Sequence, residues 1–442
     1  MKKTTDNKLL VKIFSWTAAS TSIKISLRIL VHKLIAVNFG LENFGKFNNM
    51  SFFSSYLDNL SGAGIFNGIN KYISQFHKDP FQQQQLLGTA STIVFLFSAI
   101  ITAVFFLFTN TINQLVCLPK NYLWLIRAAS VVQLSLAISN LLRAIFKGEG
   151  NAVGNSLSII IGSGLGLFAF WIGFQYYGYC GVLTSLMLMP AWTLVPAVII
   201  FYQYTAIPWH WLIKLTWNSK LAIALFKFSL IALLTTSSDI LAAILLRNRL
   251  KAYDGWTAVG LWQGIHKYSE IYFQVTTSFL SVYLLPLLAK LQKKDAIKQA
   301  IRRVLHFILP AAILVSSLSW VFREKLTLLL FSKDFMALNE LYGWQLTGDI
   351  FKIANATFTS LILSKALLGF HILSLVWLLA STLLFSYFFI PRYGTLGVVQ
   401  AHLATHLLYF IIASIIFFYY TEHKPDQVKK KSFFSKKSRL LH

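Results

Sequence analysis

Two cations lie four residues apart in an apolar stretch near the start of the chain. Lys24 and Arg28 fall within residues 16–40, a segment long enough to cross a bilayer that contains no acidic residue. Residues spaced by four share one face of a helix. An unpaired cation at bilayer depth costs about 3 to 15 kcal/mol, so such residues face a protein interior or a wet cavity. Their charges therefore require an anion from another helix or from a ligand.

That anion has two candidate sources. Carboxylates in other apolar segments are the first, namely Asp58, Asp239, Glu270 and Asp349. A ligand phosphate is the second, since a guanidinium binds phosphate oxygens as a planar fork and an ammonium binds them as a point charge. A diphosphate suits the two cations, and a salt bridge in the empty protein can alternate with it.

Two further pairs of opposite charge are spaced three residues apart. Lys267 precedes Glu270, and Asp349 precedes Lys352, so each pair can close on one helix face. Such pairs either neutralise themselves and stabilise packing or serve a ligand. In the second case Lys267 or Lys352 is another cationic contact, and Asp239, Glu270 and Asp349 can exchange protons or sodium ions.

The elements that position these charges are predicted membrane spans. The chain has 442 residues, of which 56% are hydrophobic and 12% charged, and a mean hydropathy of +0.61, whereas about 25% of residues are charged in a soluble domain. Apolar segments of roughly 20 residues, the length that crosses a bilayer, recur along it. They predict an all-α polytopic membrane protein with about twelve spans. These lie near 13–38, 48–73, 89–111, 122–145, 153–175, 181–203, 222–246, 256–286, 304–322, 338–364, 370–390 and 396–420.

The net charge of +25 reflects how the chain is oriented in the membrane. Lysines and arginines concentrate at the ends of apolar segments, as the positive-inside rule requires, which argues against nucleic-acid binding. The richer set of alternate loops contains the N-terminus, Lys71, residues 143–147 and residues 290–303. Both termini are therefore predicted to be cytoplasmic. The first apolar segment lacks a cleavage site and is expected to stay as the first span.

A polar, tryptophan-rich linker at 204–221 divides the spans six and six. We therefore predict an N-terminal lobe over 1–211 and a C-terminal lobe over 212–421 around a central cavity, and a basic tail over 422–442 that is disordered near anionic headgroups. Phe44-Gly45 and Val259-Gly260 open spans that close on similar basic segments, which indicates an internal repeat. A second match, residues 64–72 against 260–268, breaks the order of elements and is discounted.

No enzyme constellation is visible, since the chain lacks a nucleotide-binding loop, a metal-ligand cluster of recognised spacing and a nucleophile elbow. We expect no cofactor and no catalytic residue. The two cysteines, Cys117 and Cys180, fall near the predicted outer face. They either form a disulfide bond or are two isolated apolar residues, and the sequence leaves both interpretations open. Transport driven by ion gradients or by the membrane potential is the natural class of function.

Several segments resemble one family. They are SWTAAST before Lys24, LIAVNFG at 34–40, SGAGIFNGINKY at 61–72, KGEGNAVGNSLSIIIGS at 147–163, GLWQG at 260–264, SFLSVYLLPLLAKL at 278–291 and GWQLTGDIFKIA at 343–354. Together they resemble the Wzx-type lipid-linked oligosaccharide flippases, which include lipid III flippases and O-antigen translocases. The resemblance extends to about residue 420 and leaves out the basic tail.

The resemblance implies a MATE-like fold of the multidrug/oligosaccharidyl-lipid/polysaccharide exporter superfamily, in the bacterial inner membrane. Its implied substrate is undecaprenyl diphosphate carrying an oligosaccharide, moved to the periplasmic leaflet for lipopolysaccharide or enterobacterial common antigen biosynthesis. Implied partners are this glycolipid, membrane lipids, and polysaccharide polymerase and chain-length proteins. Lys24, Lys71, Asp349 and Lys352 lie in family-like segments, with Lys71 at the cytoplasmic entrance. The alternative is a MATE-type multidrug/cation antiporter, which requires an acidic cavity with few buried cations.

Overall fold

The structure is a computed structural model that describes residues 2–62, 64–116, 122–205, 207–291, 293–365 and 367–422. Regular structure in these ranges is helical throughout. The helices in chain order are α1 (Lys2–Leu60), α2 (Phe66–Gln75), α3 (Pro80–Leu107), α4 (Thr109–Val116), α5 (Leu123–Gly148), α6 (Ala152–Leu188), α7 (Leu194–Tyr204), α8 (His210–Ile213), α9 (Ser219–Phe279), α10 (Leu285–Lys290), α11 (Lys294–Val321), α12 (Arg323–Leu330), α13 (Tyr342–Ser364) and α14 (Leu368–Glu422). Two 3-10 segments (Ala191–Thr193 and Lys333–Glu340) and a π segment (Leu280–Leu284) connect some of them.

Four of the long helices are helical hairpins that reverse at a glycine. In α1 the turn is Gly40, whose φ of 70° lies in the left-handed region that glycine adopts without a Cβ clash. His32 Nε2 lies 3.0 Å from Asn48 Oδ1 across this turn, whereas a straight helix would separate them by about 24 Å. The φ angle is also positive at Gly178 in α6, Gly255 in α9 and Gly394 in α14.

The hairpin turns confirm the internal repeat and its register. Gly40 and Gly255 are 215 residues apart, and Gly178 and Gly394 are 216 apart. The same offset relates Phe44-Gly45 to Val259-Gly260. Each half of the chain thus carries two helical hairpins joined by further helices.

The described residues supply a segment for each of the twelve predicted spans. Six helices are long and apolar enough to cross a membrane by length and composition, three of them containing hairpin turns. Several predicted spans are interrupted, among them the second by the non-helical residues 61–62 and 64–65, the third by Phe108 between α3 and α4, and the sixth by the 3-10 segment after Pro190. Helix α11 begins at Lys294 rather than near 304, because its first turns are amphipathic and hydropathy does not detect them.

The lobes meet at an apolar cluster near the Gly40 turn. Phe44 of α1 packs against Phe331 and Phe335, which follow α12, with ring centroids 5.7 and 5.0 Å apart. Buried residues of both lobes join this cluster, including Val31, Ile35, Phe47, Ile265 and Tyr342. The protein is therefore closed between the lobes at this end, which the topology prediction assigns to the periplasm.

The tryptophan-rich linker packs on the first lobe. Thr92 of α3 donates to the carbonyl oxygen of Thr216 at 3.1 Å, and the Asn218 amide donates to Gln85 at 2.7 Å. Asn218 also caps α9 by accepting from the backbone of Lys220. The predicted boundary at 211/212 falls inside α8 and stays a prediction.

Candidate substrate cavity

A cavity of about 140 Å³ lies within the N-terminal lobe, and we call it the N-lobe cavity. Both arms of α1, α5, α6 and residues 189–193 enclose it. Its charged lining residues are Lys24, Arg28, Asp58 and Arg143. Helical spacing places Lys24 and Arg28 on the face of α1 that looks into the cavity, as the sequence predicts.

Neither Lys24 nor Arg28 is neutralised by a direct ion pair with a described residue. Asp58 lies within Coulombic range of Lys24, but its Oδ1 accepts a hydrogen bond from Asn140 Nδ2 at 2.8 Å. The Asn140 side-chain oxygen in turn accepts from Arg143 at 3.3 Å. Asp58 is thus tied to α5 through Asn140 and leaves the α1 cations available.

Arg143 is a functional candidate that the sequence pattern placed in a cytoplasmic loop. It lies in α5, one turn before the end of the helix at Gly148, and its side chain reaches the cavity beside Asp58. Its Nε is buried without a hydrogen-bond partner among the described residues. The sequence could have identified Arg143 through its spacing of three residues from Asn140 on an apolar helix, because this spacing places both side chains on one face.

The N-lobe cavity carries an excess of positive charge. Three cations and one carboxylate line it, and Lys147 adds a further cation within Coulombic range of Lys24. Ser51, Ser55 and Ser163 add hydroxyl groups to the lining, which is otherwise mainly apolar. In such a low-dielectric space, charge-assisted hydrogen bonds to an anion are stronger than in water.

Accessibility along α1 shows which end of the cavity is open. Lys24 and Arg28 are exposed, whereas Val31 and His32 are buried at 3% and 7% exposure. His32 is held by the Arg28 carbonyl oxygen at 2.7 Å and by Asn48, between the rings of Phe44 and Phe47. The cavity therefore opens away from the Gly40 turn, towards the predicted cytoplasmic side.

A second, small space of about 40 Å³ lies between the lobes, and we call it the inter-lobe cavity. Ile25, Arg28 and His32 of α1 face Lys267, Glu270 and Gln274 of α9 across it. Arg28 and His32 line both cavities. Arg28 is therefore the cation that both spaces share.

The charges of α9 form the local pair that their spacing predicts. Lys267 Nζ lies 2.8 Å from Glu270 Oε2, and His266 Nε2 lies 3.4 Å from the other carboxylate oxygen. Lys267 also lies 4.5 Å from the ring centre of Phe52. Because Glu270 offsets its charge, Lys267 has less positive charge to offer a ligand than Arg28 has.

The predicted pair between Asp349 and Lys352 is wrong. Asp349 of α13 is buried at 1% exposure and lies 2.9 Å from Nε2 of His402 in α14. The same carboxylate accepts hydrogen bonds from Ser269 at 2.6 Å, from Gln345 at 3.2 Å and from the Tyr272 hydroxyl. Hydroxyl, amide and imidazole groups from three helices satisfy the carboxylate, so the lysine three residues away is not needed.

Packing around Gly348 explains why His402 reaches this carboxylate. A Cβ atom at position 348 would lie 2.6 Å from His402 Cδ2, so the absence of a side chain makes room for the imidazole. The ring of His406 lies 4.5 Å beyond that of His402. This histidine pair was not predicted, although two histidines spaced by four in an apolar span were a visible signal.

The remaining predicted site residues lie away from the N-lobe cavity. Lys352 Nζ lies 4.3 Å from the Phe273 ring centre in the C-terminal lobe. Lys71 is exposed on α2, with Nζ 5.3 Å from the Phe228 ring centre of α9. The side chain of Asp239 lies outside the described part of the structure, as do Cys117 and the tail from residue 423 onwards.

Lys33 does not snorkel to the membrane surface, as a lysine near the end of a span commonly does. Its Nζ donates to the carbonyl oxygens of Leu328 and Phe331, each at 2.5 Å. These carbonyls lie at and just beyond the C-terminal end of α12, where helix dipoles favour a cation. Lys33 therefore ties the N-terminal lobe to the C-terminal lobe at the closed end.

The relation to known proteins follows from a sequence match over most of the chain. Lipid III flippase of Escherichia coli (strain K12) is 40% identical over 401 residues, which are 91% of this chain and 96% of that protein. The chain belongs to the lipid III flippase family. A lipid III flippase of Shigella flexneri matches to the same extent. No family model matches the chain.

Solved structures show that this member of the lipid III flippase family has a MATE-like fold. An inward-facing multidrug resistance MATE transporter of the MOP superfamily superposes with a TM-score of 0.67 at 15% identity, covering 91% of this chain and 94% of that one. The lipid II flippase MurJ, in an inward closed conformation, gives 0.64 at 14% identity, covering 92% and 93%. The family member is a multi-pass membrane transporter with this fold.

Proposed function

We propose that the protein moves an undecaprenyl-diphosphate-linked oligosaccharide, such as the lipid III named for its relatives, from the cytoplasmic to the periplasmic leaflet. The supporting observation is the cation excess of the N-lobe cavity, where Lys24, Arg28 and Arg143 face a single carboxylate, Asp58. A diphosphate cannot enter hydrocarbon without large desolvation costs. A cationic cavity replaces its water, while the prenyl chain stays in lipid.

The geometry suggests distinct roles for the proposed contacts. Lys24, Arg28 and Arg143 converge on the N-lobe cavity and are the primary diphosphate contacts. Arg28 also faces the inter-lobe cavity, so it can hold the substrate as the lobes separate. Lys267, whose charge Glu270 offsets, serves as a later contact, Lys352 is a secondary cation in the C-terminal lobe, and Lys71 lies at the cytoplasmic entrance.

The rival function is a MATE-type multidrug/cation antiporter. That function requires a cavity of negative potential, because its substrates are cations. The cation excess beside α1 disfavours it.

Alternating access requires the lobes to move as units. We keep residues 1–211 and 212–421 as these units, with both termini in the cytoplasm of a bacterium and the protein in its inner membrane. A reporter enzyme that is active only in the periplasm, fused after residue 422 and, separately, within the loop around Lys120, tests the orientation. The first fusion is expected to be inactive and the second active. Polysaccharide polymerase and chain-length proteins remain the predicted later users of the product.

Outward movement needs a driving force. A negative charge that leaves a negative-inside cell gains about 2.3 kcal/mol per 100 mV. The buried Asp349–His402 pair offers a second source, because a carboxylate and an imidazole 2.9 Å apart can exchange a proton. We assign to this pair the ion coupling that the sequence distributes among Asp58, Asp239, Glu270 and Asp349.

Export of the lipid-linked glycan tests the proposal. Lys24→Ala and Arg28→Ala are each expected to abolish export while the protein still inserts, and the glycolipid should accumulate in the cytoplasmic leaflet. Lys78→Ala, which removes a lysine from an exposed turn between α2 and α3, is the control and should export normally. Normal export by both cavity variants would overturn the anion site.

A further inference from the structure

Helix α11 places three basic residues in a row on one of its faces. Lys298, Arg302 and His306 are spaced by four, so they follow one another turn by turn along the helix. The opposite face is apolar and packs into the core of the C-terminal lobe through Ile297, Ile301, Val304 and Ile308. The basic row therefore looks out of the lobe at the end predicted to be cytoplasmic.

The basic row forms one wall of a groove of about 430 Å³, which we call the basic groove. Phe358 of α13 and Phe410 and Phe417 of α14 form its other wall. Lys298 Nζ lies 5.8 Å from the ring centre of Phe418 at the rim. A row of cations thus borders an aromatic surface at the level where α11 leaves the predicted membrane.

A second groove of about 650 Å³ adjoins the first, since Phe358 and Phe417 line both. It runs between α13 and the two arms of α14, and its lining is apolar apart from Ser374 and the hydroxyl of Tyr409. We call it the apolar groove. A charged groove and an apolar groove therefore lie next to each other.

No described residue neutralises this charge. None of the three basic side chains takes part in an ion pair within the described ranges, and no carboxylate lines either groove there. Lysines and arginines at the cytoplasmic surface of a membrane attract anionic lipids. The pattern calls for an amphiphile whose head is anionic and whose body is hydrocarbon.

We propose that these two grooves bind an anionic phospholipid of the cytoplasmic leaflet, with its phosphate at Lys298 and Arg302 and an acyl chain in the apolar groove. A free phosphate would leave the apolar groove unfilled. The basic tail after residue 422 follows α14 directly, but its seven lysines and arginines would repel the basic row. Neither groove shares a residue with the N-lobe or inter-lobe cavity, so the site is separate from the proposed transport path.

The test measures lipid retention by the full chain. The protein is purified from bilayers of phosphatidylcholine and phosphatidylglycerol into mild detergent, and bound lipid is counted by native mass spectrometry. We expect one retained phosphatidylglycerol, and Lys298→Gln combined with Arg302→Gln should weaken retention at least about tenfold, because two headgroup-level cations are removed. Arg302→Gln alone should also weaken retention, and Arg303→Gln is its matched control, since it removes the same single charge from the adjacent, exposed position outside the groove.

Further variants test whether the retained lipid occupies these two grooves. Ile313→Trp fills the basic groove without changing charge and should also reduce retention, whereas Arg302→Lys should preserve it. Deletion of residues 423–442 and the pair Lys24→Ala/Arg28→Ala should leave retention unchanged. The proposal would be overturned if Arg303→Gln lost as much lipid as Arg302→Gln, or if inorganic phosphate displaced the lipid. It would also be overturned if lipid were retained only after deletion of the tail, or lost only in the Lys24/Arg28 variant.

Discussion

Gly45 and Gly260 occupy equivalent positions in the two halves of the repeat and lie directly against each other. A Cβ atom at Gly260 would be 2.1 Å from the carbonyl oxygen of Leu41, and one at Gly45 would be 3.0 Å from the Gly260 nitrogen. Equivalent residues that touch mark the axis relating two halves. The lobes therefore meet backbone to backbone here, five residues after each hairpin turn.

This contact predicts that Gly260→Ala prevents closure at the Gly40 end. The added methyl group cannot be accommodated by a side-chain movement, because the atoms it meets belong to the backbone of α1. We expect export to fall at least about tenfold, since overpacking commonly costs about 1 to 3 kcal/mol. Spin labels on the two lobes near the turns should report a longer distance.

The matched control for this substitution is Gly164→Ala. Gly164 is also a helical glycine in an apolar span, but a Cβ there would have no atom within 4 Å. It should export normally when the two variants are compared at equal protein levels in the membrane. An unchanged label distance in Gly260→Ala would contradict the proposed role of the contact.

Arg143→Gln tests the cavity cation that was not predicted from the sequence. The change removes one of three cavity cations and leaves Asp58 to offset more of the charge of Lys24. Export should fall by about 10- to 100-fold, the range for losing a charged hydrogen bond. Arg143→Lys should recover part of it. Initial rates in inverted vesicles at matched protein levels provide the measurement.

The control for Arg143 comes from the same helix. Arg127 lies on α5 towards its other end, is exposed, and donates a hydrogen bond of 3.5 Å to Thr109. Arg127→Gln should retain export. If Arg127→Gln and Arg143→Gln lose export equally, the basic character of α5 matters and the position of Arg143 does not.

The sequence predicted those parts of the site whose interacting residues lie close together along the chain. Lys24 and Arg28 were identified because their spacing and their apolar surroundings are local facts. The Lys267–Glu270 pair was also predictable, because both partners lie on one helix turn. The span architecture followed from apolar segment lengths, and the register from the repeat of Gly45 at Gly260.

Other features depend on contacts between distant segments. The carbonyl partners of Lys33 lie 295 and 298 residues away, and backbone acceptors leave no signature in side-chain chemistry. Asp349 was predicted to pair with the nearby Lys352, but its partner in the structure is His402 from another helix. Arg143 lies at the end of a span, where a cation can either set the orientation of the chain in the membrane or line a cavity. Only the packing of the folded protein distinguishes these two roles.

An exchange of charges tests the role of Lys267. Because Lys267 and Glu270 are 2.8 Å apart on one helix face, the double variant Lys267→Glu/Glu270→Lys can re-form their pair. We expect export within about threefold of normal, with the residual loss reflecting altered helix-face geometry. Glu270→Gln alone should be unstable, since it leaves a partly buried cation unpaired.

Thermal unfolding and export, measured together, check this prediction. Glu270→Gln should unfold at a lower temperature than the double variant does. If the double variant is stable but inactive, the position of the Lys267 cation is essential, and Lys267 is a primary diphosphate contact like Lys24 and Arg28 and not a later one.

Asp349→Asn tests the proposed coupling of protons to transport. The asparagine can keep hydrogen bonds to Ser269, Tyr272 and Gln345, but it cannot exchange a proton with His402. In proteoliposomes carrying a fluorescent prenyl-diphosphate glycan, we expect Asp349→Asn to lose its response to an imposed pH gradient. Its response to a potassium-diffusion potential should remain, because the cavity cations and the substrate charge are unchanged.

Ser269→Ala is the control for this buried cluster. It removes one hydrogen bond from the same carboxylate, at 2.6 Å, and leaves both proton-exchanging groups in place, so its response to the pH gradient should persist. His402→Gln should behave like Asp349→Asn. Lys352, His406 and His266 also act electrostatically on this cluster; a pH response that survives in both Asp349→Asn and His402→Gln would move the coupling to those neighbours or to another carboxylate.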